Sequence, residues 1–445
     1  MALRRNGKIG LFFEQGTGKT RAALEALAAL GCRRILVVAP LSVPGVWERE
    51  TAKWWPEAQV TNCTSGTITR RAALLRQWGE GPRIVIVGYE TYWREPLRTA
   101  IKESQLDAVV YDEAHRLKSR SARQSRFAHA LVAFVPRAMA LTGTPMPNGI
   151  EDLFSLYKAI DPDVFGTRWA DFEARYIRRG GYLNYQIVGY RNVEEVEERL
   201  AATSLRITKA EALDLPEQVD VEVPVELTPS TREVYDRLRR KAISEVEGVA
   251  RDGGIASGTT LARNVLTNVL RLQQITSGFA RTTDGEILDL STEKLDALSE
   301  LLQDTPGRVV VFCRFTHDIL RIARMLDRRA YVLDGSVPPR RRDAHLDLFR
   351  RSSDGVLVAQ VAVASLGIDL TCANVAVFYS ADYSLTNYLQ ARDRLHRIGQ
   401  SSKVTYYHMV AAHTIDEAVY RALSNKEDLM RQVLDISRAR ELFAA

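Results

Sequence analysis

Nine residues near the start of the chain, Phe12 to Thr20 (FFEQGTGKT), restrict its fold more than any other stretch. Ile9 to Phe13 is a short apolar run of strand type, and Thr20 to Leu30 has the Ala/Leu-rich pattern of a buried helix. Gly16 and Gly18 stand in the turn between them. A strand, a glycine turn and a helix in that order aim several backbone N–H groups and a helix N-terminus at one point, where a triphosphate's charge can be held. Lys19 would reach the β- and γ-phosphates and Thr20 would put its hydroxyl on Mg2+. Phe13 stands where the first glycine of G-x-x-x-x-G-K-[ST] belongs, so on its own the loop also reads as an ordinary turn ending at a helix N-cap.

The chain then alternates. Apolar runs at Arg34 to Ala39, Arg83 to Val87, Ala108 to Tyr111 and Ala138 to Leu141 read as buried strands. The segments between them, such as Val43 to Trp54 and Ser121 to Phe134, have helical periodicity. That rhythm implies an α/β fold, a parallel sheet with helices on both faces whose ligands gather at the carboxyl ends of the strands. One strand delivers two adjacent carboxylates there, in Asp112-Glu113-Ala114-His115. Asp112 is expected to hold Mg2+ through water, and Glu113 to orient and deprotonate an attacking water. Leu141 to Pro145 (LTGTP) closes another strand with a polar turn, whose Thr142 and Thr144 hydroxyls flank Gly143 and can bridge the carboxylates to a moving part.

From Ile150 to about Leu290 the rhythm breaks. Glu151 to Ile160, Asn192 to Leu200 and Pro229 to Val249 read as helices, Val219 to Leu227 as a strand, and Gly253 to Gly258 as a flexible connection. Alternation resumes with strands at Arg308 to Cys313, Ala330 to Leu333, Val356 to Gln360 and Val375 to Tyr379, a second parallel sheet without a GKT. It is followed by Gln390 to Gln400 (QARDRLHRIGQ), in which Arg394 and Arg397, three apart, are expected to share one helix face. Two guanidiniums on one face call for an anion, and the γ-phosphate held by the other sheet is a candidate.

A length of 445 residues gives two or three domains, and 46% hydrophobic with 26% charged residues suits large buried cores. The net charge of +6 is compatible with a nucleic-acid partner without requiring one. Cys32, Cys63, Cys313 and Cys372 are scattered without a C-x-x-C pair, which points to reduced thiols and away from zinc. No run is long enough to span a bilayer and no signal peptide is evident, so a cytoplasmic protein with no membrane partner is expected.

Taken together, these motifs resemble those of the Swi/Snf family of ATP-driven DNA translocases, within superfamily two of the helicase-like proteins. EQGTGKT at 14–20 is similar to the family's phosphate loop, which also lacks the first glycine. LVVAPLSVPGVWERE at 36–50, DEAHRLKS, LTGTPMPNGIEDLFSL, the LDLPEQVDVEVPVELTPSTREVYDRL stretch, VVVFCRFTHDIL, LDGSVPPRRRDAHLDLF, SLGIDLTCANVAVFYSADYS and LQARDRLHRIGQ follow in the family's order. The resemblance implies two tandem RecA-like lobes with inserted helices between them. Lobe one is expected over 1–205 with a helical insertion near 150–205, a hinge and further insertion over 206–290, and lobe two over 291–445, closed by a brace helix. ATP and Mg2+ would be bound by Gly16, Thr17, Gly18, Lys19, Thr20, Asp112 and Glu113 of the first lobe, with Arg394 and Arg397 of the second as arginine fingers.

The same resemblance implies coupling roles for Thr142, Gly143, Thr144, Gly367, Asp369 and Gln390. It implies DNA-backbone contacts in the block containing Ser42, after DEAH at Arg116, Lys118, Arg120, Arg123 and Arg126, and at Arg340, Arg341 and Arg342. Double-stranded DNA is the expected partner, with single-stranded DNA or RNA as alternatives. Two rival activities are a strand-separating helicase and a non-catalytic nucleic-acid-binding scaffold; the presence of Lys19, Glu113, Arg394 and Arg397 argues against the scaffold. Three departures stand out. A glutamine-containing adenine-recognition segment upstream of the loop has no counterpart in MALRRNGKIG, Ala362 stands where a basic residue is common, and the chain ends soon after TIDEAVYRALSNKEDLMRQVL. A late start or weak base selectivity, one missing phosphate contact and a bare motor core, of bacterial or phage type, are the corresponding expectations.

Overall fold

The computed structural model describes residues 7–180, 186–251, 258–282, 284–362 and 368–427. They divide into two compact units: 7–180, 186–214 and 426–427 belong to the first and 215–425 to the second.

The first unit is built on β1 (Lys8–Phe13), β2 (Arg34–Ala39), β3 (Gln59–Asn62), β4 (Arg83–Gly88), β5 (Ala108–Asp112) and β6 (Ala138–Leu141). An antiparallel hairpin of β7 (Ile177–Gly180) and β8 (Gln186–Tyr190) follows, and β9 (Ser204–Ile207) returns to the sheet. The order β3-β4-β2-β5-β6-β1-β9 is parallel throughout. Ile35, Val37, Ile84, Ile86, Met139 and Leu141 pack on one face with Leu24 and Leu27 of the helix Lys19–Ala29 and Trp47 of the helix Pro44–Trp54. The alternate residues Leu36, Val38, Val85, Val87, Val109 and Tyr111 are equally buried. A sheet covered on both sides explains why these strands read as continuous apolar runs instead of alternating.

β5, β6 and β1 are neighbours, and Leu141 pairs in register with both Asp112 and Leu11. Three loops, residues 14–18, 113 onward and 142–144, therefore leave the sheet side by side at its carboxyl edge. In the sequence the first lies 95 residues before the second; the strand order brings them together.

The second unit contains β10 (Gln218–Val225), a hairpin of β11 (Phe279–Arg281) and β12 (Ile287–Asp289), then β13 (Val309–Cys313), β14 (Ala330–Leu333), β15 (Val356–Gln360), β16 (Val375–Phe378) and β17 (Val404–Ala411). Its sheet runs β10-β17-β16-β13-β15-β14, again all parallel. Central β13 (VVVFC) is buried at every position. Edge strand β10 alternates between exposed and partly covered residues and carries Pro224, which an edge position tolerates because one side of the strand needs no donor.

Several expectations need correction. The first unit extends past residue 205, because β9 pairs with β1 over Gly10–Phe13 and brings 204–207 into its sheet. The span 206–290 is not a separate hinge domain: β10 and the helices Pro229–Arg251 and Gly258–Thr276 fall in the second unit, β10 being held by eight residue pairs with β17. The short strands β3 and β9, of mixed polarity, and β17 carry no run as apolar as those read from the sequence. Gly367, residues 252–257 of the glycine-rich connection and the side chain of Arg340 lie outside the described residues, as does the brace helix beyond 427.

Candidate functional site

The loop after β1 turns on two glycines with left-handed backbone, Gly16 at φ 82° and Gly18 at φ 92°, and nothing lies within 4 Å of where a Cβ would stand on either. Glycine is required there by conformation and not by crowding. Gly18 is the N-cap of the helix Lys19–Ala29, and no side chain caps that N-terminus, so its first N–H groups are left to an external acceptor. Lys19 is held by its own loop: Nζ donates to the carbonyls of Phe13 at 2.9 Å and Glu14 at 3.2 Å. Thr17 Oγ1 donates to the Glu14 carbonyl at 2.8 Å. Glu14 anchors the loop to the last strand of the sheet, its N–H donating to Ile207 O at 2.9 Å and its Oε2 accepting from Lys209 N at 2.9 Å.

Asp112 ends β5 and is only 6% exposed. Trp47 Nε1–H donates to its Oδ2 at 2.8 Å, the Glu113 N–H to its Oδ1 at 3.0 Å, and the Tyr89 hydroxyl to its main-chain carbonyl at 2.9 Å. Burial, followed by the neighbouring Glu113 carboxylate, raises the Asp112 pKa above the usual range; the Trp47 bond and the positive charge of Lys19 pull the other way. A buried carboxylate that senses the loop lysine is suited to a cation.

Glu113 adopts φ 52°, ψ 51°, a left-handed conformation that costs a non-glycine residue of the order of 1–3 kcal/mol and clusters at functional sites. His115 Nδ1 lies 3.3 Å from Glu113 Oε2 and 3.1 Å from Thr142 Oγ1. Thr142 Oγ1 also accepts from Thr144 N at 3.1 Å, and the Thr142 N–H donates to Leu11 O at 3.2 Å. A Cβ on Gly143 would stand 3.2 Å from the Phe13 carbonyl and 3.4 Å from Glu14 Cα. The TGT turn thus lies against the phosphate-type loop, touching the same carbonyl that holds Lys19. Thr20 is partly exposed beside Lys19 at the helix start.

In the second unit the helix Leu385–Leu395 stops before Arg397, with His396 as its C-cap at ψ 83°. Arg394 and Arg397 therefore do not share a helix face, contrary to the expectation from their spacing. The break comes from His396, whose Nε2 meets the Pro216 carbonyl at 2.8 Å, and from Gln400, whose Nε2 donates to Ala373 O at 2.9 Å. Leu370 N donates to Arg394 O and Gln400 N to Arg397 O, each at 3.0 Å, so the segment is tied to the loop carrying Asp369. Burial works to raise the Asp369 pKa, but the N–H and hydroxyl of Thr371, at 3.0 and 2.8 Å, together with Arg397 and Arg350, hold it below the usual range. Gln390 is buried within the helix.

The candidates for backbone contact differ in their surroundings. Arg116 is ion-paired with Glu90 at 3.2 Å, whereas Arg120 lies over the Trp169 ring at 4.3 Å. Lys118 is partly exposed, while Ser42 and Arg341 are exposed. Sequence reasoning missed the anchoring role of Glu14, the Trp47 and Tyr89 bonds to Asp112, and the bridging position of His115. A tryptophan or tyrosine in an amphipathic stretch reads as core, and only the fold reveals which polar tip meets a carboxylate.

Residues 4–278 match the model of the SNF2-related domain, and residues 293–399 match the helicase conserved C-terminal domain. The chain belongs to the SNF2-related family. This SNF2-related chain is 27% identical to the mouse DNA annealing helicase and endonuclease ZRANB3, over 98% of its own length and 40% of the relative's. It is 27% identical to the human SWI/SNF-related matrix-associated actin-dependent regulator of chromatin subfamily A member 1, over 94% of its length and 41% of the relative's. An uncharacterized ATP-dependent helicase of Mycoplasma pneumoniae is 25% identical over 95% and 40%. The chain thus spans about two fifths of the length of these relatives. Among solved structures, the Sulfolobus solfataricus SWI2/SNF2 ATPase core in complex with dsDNA is 22% identical over 98% of this chain and 90% of its own, with a TM-score of 0.43. Among the described residues no helix is long and apolar enough to cross a membrane.

Proposed function

We propose that the chain is a nucleic-acid-dependent ATPase that translocates on double-stranded DNA. The observation that carries this reading is the meeting of three loops at one sheet edge: Lys19 on the Phe13 and Glu14 carbonyls, Gly143 packed on those same residues, and Asp112 within electrostatic reach of Lys19. Gly16, Thr17, Gly18 and the uncapped helix N-terminus are proposed to hold the phosphates with Lys19. Thr20 and Asp112 are the oxygen donors suited to Mg2+, which when bound would neutralise charge on the phosphates.

Glu113 is proposed to orient the attacking water and take its proton, with His115 positioning the carboxylate against Thr142. Through that contact the Thr142-Gly143-Thr144 turn would sense the phosphate loop and the carboxylate pair together, which suits a coupling element. Asp369, Gly367 and Gln390 are proposed for coupling in the second unit, and Arg394 and Arg397 as fingers that stabilise charge on the transferred phosphoryl group. Double-stranded DNA, which the family resemblance implies, is the proposed partner, and the candidates Ser42, Arg116, Lys118, Arg120, Arg340 and Arg341 suit contacts to its phosphate backbone without base readout.

The test that separates translocation from unwinding uses two substrates. The chain is expected to displace the third strand of a triplex on blunt duplex in an ATP-dependent way, and to leave a labelled fork intact. Fork separation in proportion to ATP turnover would move it to the strand-separating helicases, and failure to displace the third strand despite turnover would remove the motor claim.

A further inference from the structure

A groove of about 630 Å3 runs along the first unit between the helices Arg123–Leu131 and Glu151–Ile160, with Trp169 in its wall. Its charged lining is Arg120, Arg126 and Lys158, and no carboxylate faces it. Among the described residues none of these three cations is ion-paired, in contrast to Arg116 on the same segment. Two of them are nevertheless held in place. Arg120 lies over the Trp169 ring at 4.3 Å, and Trp169 itself stacks on Phe172 with ring centroids 5.6 Å apart; Lys158 Nζ donates to Thr167 O at 2.6 Å. Such contacts restrict the side chains without neutralising them.

His129, in the same lining, contributes no charge near neutral pH. Burial first, opposed by its bond to Ser155 and aided by Lys158, lowers its pKa to about 4. An adjoining cavity of about 310 Å3 is lined by Lys118 and Arg120 as well as Glu151 and Asp152, so the excess of positive charge lies at the Arg126–Lys158 end. Three unpaired cations with no carboxylate among them suit a phosphate backbone, whose negative charge is continuous along the strand.

We propose that this groove extends the nucleic-acid contact of the first unit beyond the segment after DEAH, with Lys158 joining Arg120 and Arg126 on the phosphate backbone of the DNA on which the motor moves. The proposal rests on the translocase reading and adds Lys158, from a helix that the basic segment after DEAH does not include.

Arg126→Ala/Lys158→Ala is to be compared with wild type by fluorescence anisotropy on a blunt duplex over a salt series. About tenfold weaker binding is expected at moderate salt, with the slope of log K against log salt shallower by about 2, one for each phosphate that no longer meets a cation. Arg126→Lys/Lys158→Arg is expected to restore both, which a folding defect would not allow. An unchanged slope in the alanine variant with intact wild-type binding overturns the groove alone. Absence of duplex binding by wild type overturns the translocase reading and the groove with it. If the alanine variant loses affinity for poly-glutamate while keeping its affinity for duplex, the groove is a peptide site and the proposal is wrong.

Discussion

Glu113→Gln is expected to lower ATP turnover by a factor of about 10²–10⁴, the usual contribution of a positioned general base, while nucleotide binding persists. The substitution keeps the shape of the side chain, and its amide can still approach His115, which stands 3.3 Å from Glu113 Oε2. What disappears is the ability to take a proton. Removing the Glu113 charge also removes one of the two influences that raise the Asp112 pKa, so Asp112 ionises more readily. Single-turnover hydrolysis together with equilibrium binding of a fluorescent ATP analogue separates the two effects. Turnover within tenfold of wild type would remove Glu113 from the chemistry, and loss of binding would show that it serves the loop instead.

Lys19→Ala is expected to fail one step earlier, at binding. A charge-assisted bond to phosphate is worth about 1.5–3 kcal/mol, so losing two of them corresponds to roughly 10²–10⁴-fold weaker affinity. The substitution also frees the carbonyls of Phe13 and Glu14, which accept from Nζ at 2.9 and 3.2 Å, and so loosens the turn against which Gly143 packs. Arg in place of Lys is not expected to rescue, because a planar guanidinium cannot occupy the space of a compact ammonium between two carbonyls. The same equilibrium titration reads the effect. An affinity for the ATP analogue unchanged by Lys19→Ala would mean that the phosphates are held elsewhere.

The fold class was legible in the sequence because buried parallel strands are apolar at nearly every position. Ile84 to Val87 and Val309 to Cys313 stand out by composition alone, and their helices fall between them. Strands lacking that signal escaped notice: Ser204–Ile207 is short and mixed, and it takes its place through pairing with β1. The boundary between units shifted for the same reason, since a strand's membership is decided by its partner and not by its own residues.

Within the candidate site, Lys19, Asp112, Glu113 and the TGT turn could be singled out because each follows a recognisable strand. The second-unit arginines show the limit of periodicity. Three-residue spacing describes a helix face only while the helix lasts, and His396 ends it between Arg394 and Arg397. Likewise, nothing in the spacing of Trp47, Tyr89 and Asp112 predicts that an indole and a phenol bond to one buried aspartate; the adjacency of β2, β4 and β5 does that.

Steady-state ATP hydrolysis by the purified chain tests the central claim most directly, measured without nucleic acid, with single-stranded DNA, with blunt duplex DNA and with structured RNA, at low and moderate salt. Turnover strongly stimulated by duplex DNA, and weakening as salt screens the phosphate contacts, is the predicted result. Stimulation by single strands or RNA alone, or no turnover under any of these conditions, would contradict it.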